Sequence, residues 1–230
     1  MPTGSQVKKA GRTLRRWWES DKEQPSDADV AAWITLLEYR SEFPEPLKRV
    51  NLGLRSMVRT EGCPVRVSQR LKRGERIIQK LSRHPNMSLS TMADIGGCRA
   101  IVDDLAQLQA VRKRIHKNWV KSIVSEREYL AEPRNTGYRG YHVVVERLGK
   151  RVEVQLRTAR QHGWAMMVED AENRTGTLLK DGIGPPEVVD FFRLTSDITW
   201  HVETVGGPLP PEMVANADAA LRAAREYLVT

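Results

Sequence analysis

The sequence predicts an α+β fold: one mixed, mainly antiparallel sheet of about five strands, surrounded by helices. Three observations carry this. Apolar residues recur at helical spacing in the first sixty residues and again after residue 185. Between those regions lie short alternating runs of the kind that form half-buried strands. Helical segments interleave with the strands, as expected when helices cover a single sheet.

The elements follow in order. Residues 1–16 hold Lys8, Lys9, Arg12, Arg15 and Arg16 and no acid. They read as a flexible basic arm or a short helix. Trp17 and Trp18 follow, better suited to helix packing than to base stacking. Residues 28–40 read as a helix, with Ser26 or Asp27 as its cap and Val30, Trp33, Ile34 and Leu37 at helical spacing. Pro44 and Pro46 end it, because proline lacks a backbone donor and restricts the residue before it. Leu47, Val50, Leu54 and Met57 mark a second helix.

Residues 65–84 are dense in Arg and Lys and become helical by Ile77, Ile78 and Leu81. Cys98–Val102 reads as a strand, Leu105–Trp119 as a helix and residues 122–129 as a strand. Two further strands, 140–147 and 151–157, form a hairpin with Gly149 in the turn. Residues 159–173 look helical, and "KDGIGPP" (180–186) is a loop. Helices at 187–204 and 212–228 follow, the second with Val214, Ala217, Leu221 and Leu228 on one face. The expected organisation is a helical segment over 1–60, a chemical core over 61–180 and helices over 181–230 packed on it as a single domain.

The chain has 230 residues, is 40% hydrophobic and 29% charged, and carries a net charge of +8. That balance suits a folded protein with a polyanionic partner such as a nucleotide or RNA. No stretch has the length of a membrane span and no leader-like apolar segment opens the chain, so the expectation is a cytoplasmic protein without a membrane partner. Cys63 and Cys98, with five scattered His, fall in no metal-ligand spacing. There is no GxxxxGK[ST] and no strand–GxGxxG–helix, so the common nucleotide loops are unsupported.

One segment concentrates the chemistry. In "RVEVQLRT" (151–158), strand alternation puts Arg151, Glu153, Gln155 and Arg157 on one face and Val152, Val154 and Leu156 on the other. The plain reading is a solvated sheet face. The preceding segment, however, adds Tyr138, Arg139 and His142 as candidates for the same face. A lone carboxylate among guanidinium groups can hold a metal ion or take a proton from a hydroxyl. Asp94, just before Ile-Gly-Gly, is the second carboxylate of interest, although locally a turn residue is its simpler reading. Arg66, Arg70, Lys72, Arg73, Arg76 and Lys80 would suit a triphosphate or an RNA backbone, and equally a solvated helix face.

Taken together, these segments resemble the RelA/SpoT nucleotide pyrophosphokinases over about residues 45–175. "RLKRGERI" (70–77) resembles the family's R-x-K-x-x-x-S-I, and "DIGGCRAIV" (94–102) its D-I-x-G-x-R-I. "TGYRGYH" (136–142) is similar to N-G-Y-x-S-x-H, "VEVQLRT" (152–158) to E-V-Q-I-R-T, and "QHGWAMMVED" (161–170) to the M-H-x-W-A-E helix. The resemblance implies the synthetase, nucleotidyltransferase-like fold. It also implies transfer of the β,γ-pyrophosphate of ATP to the ribose 3′-hydroxyl of GDP or GTP, making (p)ppGpp and AMP.

By the same resemblance, Asp94 and Glu153 are the catalytic pair and hold Mg²⁺, with Glu153 also poised to activate the hydroxyl. Arg70, Lys72, Arg76, Lys80 and Arg99 would bind ATP. Arg134, Tyr138, Arg139, His142, Gln155 and Arg157 would bind the acceptor, with Tyr138 stacking on its base. The sequence departs from the pattern at Arg76, where the family has Ser, and at Thr136 and Gly140, where it has Asn and Ser. No HD dipeptide occurs and the length leaves no room for the family's hydrolase domain, so synthesis without degradation is expected. Some small members instead pyrophosphorylate the 3′ end of tRNA and block translation. The basic N-terminus and "RKRIHK" (112–117) would suit tRNA, and such a toxin would need an antitoxin protein. A non-catalytic RNA-binding module is the third reading. Small members can be tetramers, so a homo-oligomer is an expectation on resemblance alone.

Overall fold

The computed structural model describes residues 1–20 and 24–228. Three helices come first: α1 (Gly4–Glu19), α2 (Asp27–Ser41) and α3 (Pro44–Thr60). The basic N-terminus is therefore a full helix. Thr3 and Gln6 close its first turn as a reciprocal cap, and Val7, Ala10 and Leu14 are buried. In α2 the buried residues are Ala32, Leu36 and Tyr39, whereas Val30 and Ile34 are 46% and 52% exposed. The spacing located that helix, but its inner face is the neighbouring stripe, which meets α1. The prolines at 44 and 46 both end α2 and open α3, since proline at the first helical position gives up a donor that has no partner there anyway.

Five strands form one sheet: β1 (Arg66–Leu71), β2 (Gly96–Val102), β3 (Ile123–Glu128), β4 (Tyr141–Arg147) and β5 (Lys150–Thr158), in the order β1-β2-β5-β4-β3. Only β2 and β5 pair parallel; the other three pairings are antiparallel. This is the predicted mixed sheet. The strand β1, however, lies inside the basic run that gave no strand signal. Its residues are mostly exposed, so no apolar alternation marks it. β4 and β5 turn at Leu148 and Gly149, which have φ of 51° and 71°. Two consecutive left-handed residues make the tight turn whose twist matches a hairpin.

Helices α4 (Gly74–Arg83) and α5 (Leu105–Trp119) connect the strands, and α6 (Ala159–Thr175), α7 (Pro186–Thr204) and α8 (Pro211–Leu228) end the chain. In α8 the buried residue is Ala224, and Leu228 of the predicted face packs on the same cluster, whereas Val214 and Leu221 are exposed, so the packed face overlaps the predicted one but is rotated from it.

One sheet face is apolar. Cys98, Ala100, Val102, Tyr141, Val143, Val145, Val152, Val154 and Leu156 pack with residues of α3 and α5. Burial drives this pairing, at about 1.5–3 kcal/mol for each large side chain. A second cluster joins α1, α2 and α4, and a third joins α6, α7 and α8. No described helix is long and apolar enough to cross a membrane.

At Gly53 on α3, a Cβ would lie 2.7 Å from the Trp119 indole. Gly53→Val should therefore lower unfolding stability by about 1–3 kcal/mol in a urea titration, because the ring cannot retreat into a filled core.

Candidate active site

The second sheet face is polar, and strand register sets its layout. Residues directly opposite one another share a face. Arg70, Gly97, Glu153, Val144 and Ser125 therefore form one row across all five strands. Ser68, Arg99, Gln155, His142 and Arg127 form the next. Residues from four separate motifs meet here because a parallel pair, β2 and β5, places Gly97 beside Glu153 and Arg99 beside Gln155.

Two clefts open on this face. One, of about 290 Å³, is lined by Ser68, Gln69, Arg70, Lys72, Asp94, Gly97, Arg99, Glu153, Gln155 and Glu169, with Cys98 contributing at its floor. The other, of about 230 Å³, has Lys80, Arg127, Arg134 and His142 on its walls, along with Asp94 and Glu153. The two carboxylates thus stand between the clefts and line both.

Asp94 precedes β2 and is fixed by cations. Its Oδ2 accepts from the Lys72 and Lys80 ammonium groups, the latter at 2.6 Å. Its Oδ1 is buried and unpartnered. Burial would raise its carboxyl, but the two ammonium groups outweigh that and hold it below the usual carboxylate range. Burial lowers the Lys72 ammonium, opposed by Asp94. The Lys72 backbone is itself pinned: its N–H donates to Ile95 and its carbonyl accepts from Arg40 Nε at 2.7 Å.

Glu153 ends a directed hydrogen-bond chain. A carboxylate only accepts, so His142 Nδ1 donates to Glu153 Oε1 at 3.0 Å. His142 Nε2 then accepts from the Tyr138 hydroxyl at 2.5 Å, and that hydroxyl accepts from Arg157 Nε at 3.1 Å. Gln155 closes the ring: its Nε2 donates to Glu153 Oε2 at 2.8 Å, and its Oε1 accepts from Arg157 Nη2 at 3.0 Å. Burial alone would raise the Glu153 carboxyl, but the bonds from His142 and Gln155 and the nearby Lys80 charge bring it down to about 2. Arg99 is lowered by burial and by the neighbouring Arg157, and its Nε is buried without a partner.

Most of the predicted site residues meet here. Arg70, Lys72, Asp94, Arg99, Glu153 and Gln155 line the larger cleft, and Lys80, Arg134 and His142 the smaller. Tyr138 and Arg157 belong to the hydrogen-bonded ring. Two residues stand elsewhere. Arg76 is exposed on the first turn of α4, donates to Gln79 and lines neither cleft. Arg139, read as an acceptor contact, is only 4% exposed and turns away from the sheet toward α7, where it pairs with Asp197. A one-residue step in the loop aims it opposite to Tyr138. Sequence reasoning gave no role to Ser68 and Gln69, hidden in the unrecognised strand. Nor did it give one to Glu169, which lay within a quoted motif without any local mark of function. Cys98 stays inert, its thiol pushed up to about 12 by burial.

A carboxyl held at about 2 rather than 4.5 stabilises the fold above pH 4.5, and that contribution is lost as pH falls toward 2. In acid unfolding followed by circular dichroism, wild type should therefore lose more stability across this window than Glu153→Gln, and the two curves should converge near pH 2.

A family model described as "Region found in RelA / SpoT proteins" matches residues 69–174. The chain is 32% identical over 150 residues to the GTP pyrophosphokinase YjbM of Bacillus subtilis, covering 60% of this chain and 71% of that protein. Its fold matches small alarmone synthetase 1 from Bacillus subtilis, solved with its product pppGpp, at a TM-score of 0.58 and 25% identity over 74% of this chain and 92% of that one. A GTP pyrophosphokinase family protein from Streptococcus pneumoniae matches in fold at a TM-score of 0.57 and 21% identity, covering 81% and 94%. Matched across the β1–α6 region that builds both clefts, this chain belongs to the RelA/SpoT family.

Proposed function

We propose that the protein is a pyrophosphotransferase that moves the β,γ-pyrophosphate of ATP to the ribose 3′-hydroxyl of GDP or GTP, yielding (p)ppGpp and AMP. The observation that carries this is the pair of clefts sharing Asp94 and Glu153. A transfer between two nucleotides needs two binding sites that meet at one reacting centre. The larger cleft, with Arg70, Lys72 and Arg99, is assigned to ATP. The smaller, with Arg134 and His142, is assigned to the acceptor.

Mg²⁺ fits the donor set. Two ionised carboxylates, one with an unpartnered buried oxygen, match a small hard cation that completes its shell with phosphate oxygens and water. Among the described residues no cluster of three or more acidic, His or Cys side chains could hold a metal without such help. Asp94 and Glu153 would hold the ion, which when bound supplies charge neutralisation to the phosphates. The chain's own groups do the rest. Lys72 and Lys80 place positive charge where phosphate oxygens collect it, and positioning and charge are the main levers in such a transfer. Glu153 is a weak base at about 2 with both oxygens already accepting hydrogen bonds. It can take the acceptor's proton only as attack proceeds and the hydroxyl becomes acidic. Its His142 bond keeps it oriented for that.

Exposed Lys8, Lys9 and Arg12 on α1 and Lys113 and Lys117 on α5 favour tRNA as the competing acceptor, since they offer charge to a long polyanion. An antitoxin partner would belong to that reading.

The test is incubation of the protein with γ-labelled ATP, Mg²⁺ and separately GDP, GTP or deacylated tRNA. Label should move to GDP or GTP; movement to tRNA alone would make this a tRNA-modifying toxin, and no movement in an active preparation would favour an RNA-binding module. Asp94→Asn and Glu153→Gln should each slow transfer by about a hundredfold or more, the loss seen when one preorganised charge contact is removed. Chelation of divalent metal should stop transfer, and added Mg²⁺ should restore it.

A further inference from the structure

The loop between β3 and β4 carries Tyr129, Arg134 and Tyr138, which stack on one another beside the smaller cleft. The Arg134 guanidinium lies 4.6 Å from the Tyr129 ring centre and 5.2 Å from that of Tyr138. Both rings meet His142 edge to face. The loop's own backbone ties are few: Tyr129 with Gly140, Arg134 N–H to Tyr138, and Gly137 N–H to Arg134.

Behind the loop stands α7. Arg139 spans the two. Its Nη1 donates to the carbonyls of Leu130 and Ala131, its Nε to Ser196 Oγ at 3.0 Å and its Nη2 to Asp197 Oδ1 at 2.7 Å. Trp200 covers the guanidinium at 5.0 Å. Ser196 in turn donates to the Gly137 carbonyl. Gly137, at φ 89°, approaches α7 so closely that a Cβ would lie 3.0 Å from Arg193 Cα. The planar fork of Arg thus joins loop carbonyls to helix side chains, which a Lys could not do.

We propose that α7 is the positioning element for acceptor binding: Ser196 and Asp197 fix Arg139, and Arg139 fixes the loop that presents Tyr129, Arg134 and Tyr138. All three clamp residues avoid both clefts, so they act through the loop and not on substrate. A further brace lies nearby, where Glu203 of α7 accepts from Thr158 at the end of β5 and from Gln161 in the first turn of α6. The inference rests on the reading that the smaller cleft holds the acceptor.

Two readouts test it on the full chain: hydrogen exchange of loop amides without substrate, and steady-state kinetics with ATP and GTP. Asp197→Ala and the milder Ser196→Ala should speed exchange over residues 130–138 while β2 stays protected, and should raise the GTP KM about tenfold with the ATP KM within about twofold. Asp197→Asn, which keeps the acceptor oxygen, should recover most of the GTP KM. Unchanged exchange in the loop would overturn the clamp, whatever the activity. Faster exchange with an unmoved GTP KM would overturn the assignment of the cleft and the positioning role with it. A fall in kcat matching a fall in melting temperature, with both KM values unmoved, would make the contact a purely structural one.

Discussion

Glu153 is a largely buried anion on an open polar face, and it stays one because hydrogen bonds from His142 and Gln155 and the nearby Lys80 ammonium offset its lost hydration. Much of the architecture serves that balance. β4 must run antiparallel to β5 at the observed register for His142 to sit opposite Gln155 and reach Glu153. Arg157, three strand positions on from Val154, must turn back along the face to hold Tyr138 and Gln155 at once. Shifting β5 by one residue would turn Glu153, Gln155 and Arg157 toward the apolar layer under the sheet, and shifting β4 would do the same to His142.

One departure from the family pattern shapes the same site. Gly140 stands where the family has Ser, and a Cβ there would lie 2.9 Å from the Tyr138 hydroxyl. Without a side chain at 140, that hydroxyl can sit between His142 and Arg157. Arg76, which stands where the family has Ser, is out in solvent on α4, and the ammonium groups that reach the Asp94 carboxylate are those of Lys72 and Lys80. The Thr136 hydroxyl is buried without a partner; nothing in the structure explains that choice.

The three apolar clusters divide the labour. The layer under the sheet sets strand register. The α1–α2–α4 cluster holds α4, whose Lys80 reaches Asp94. The α6–α7–α8 cluster forms the wall against which the β3–β4 loop leans. An open polar face is thus kept rigid from three sides without being covered.

Alternation in residues 151–158, the hairpin glycine and the helical repeats are local signals, because strand and helix periods are written in neighbouring residues. They determined the α+β class, four of the five strands and the face that bears Glu153. The strand β1 escaped notice because its exposed, basic residues show no alternation. The inner face of α2 escaped, and that of α8 was read only in part, because each helix has more than one apolar stripe and only a packed neighbour selects among them. The site divides in the same way. Asp94 reads as a turn residue until the fold sets it beside Lys72, Lys80 and Glu153. Tertiary structure alone decided that Tyr138 faces the sheet while Arg139, the next residue, faces α7. Adjacent loop residues take different partners, and Arg139 is drawn from the Glu153 ring by an element nearly sixty residues further along the chain.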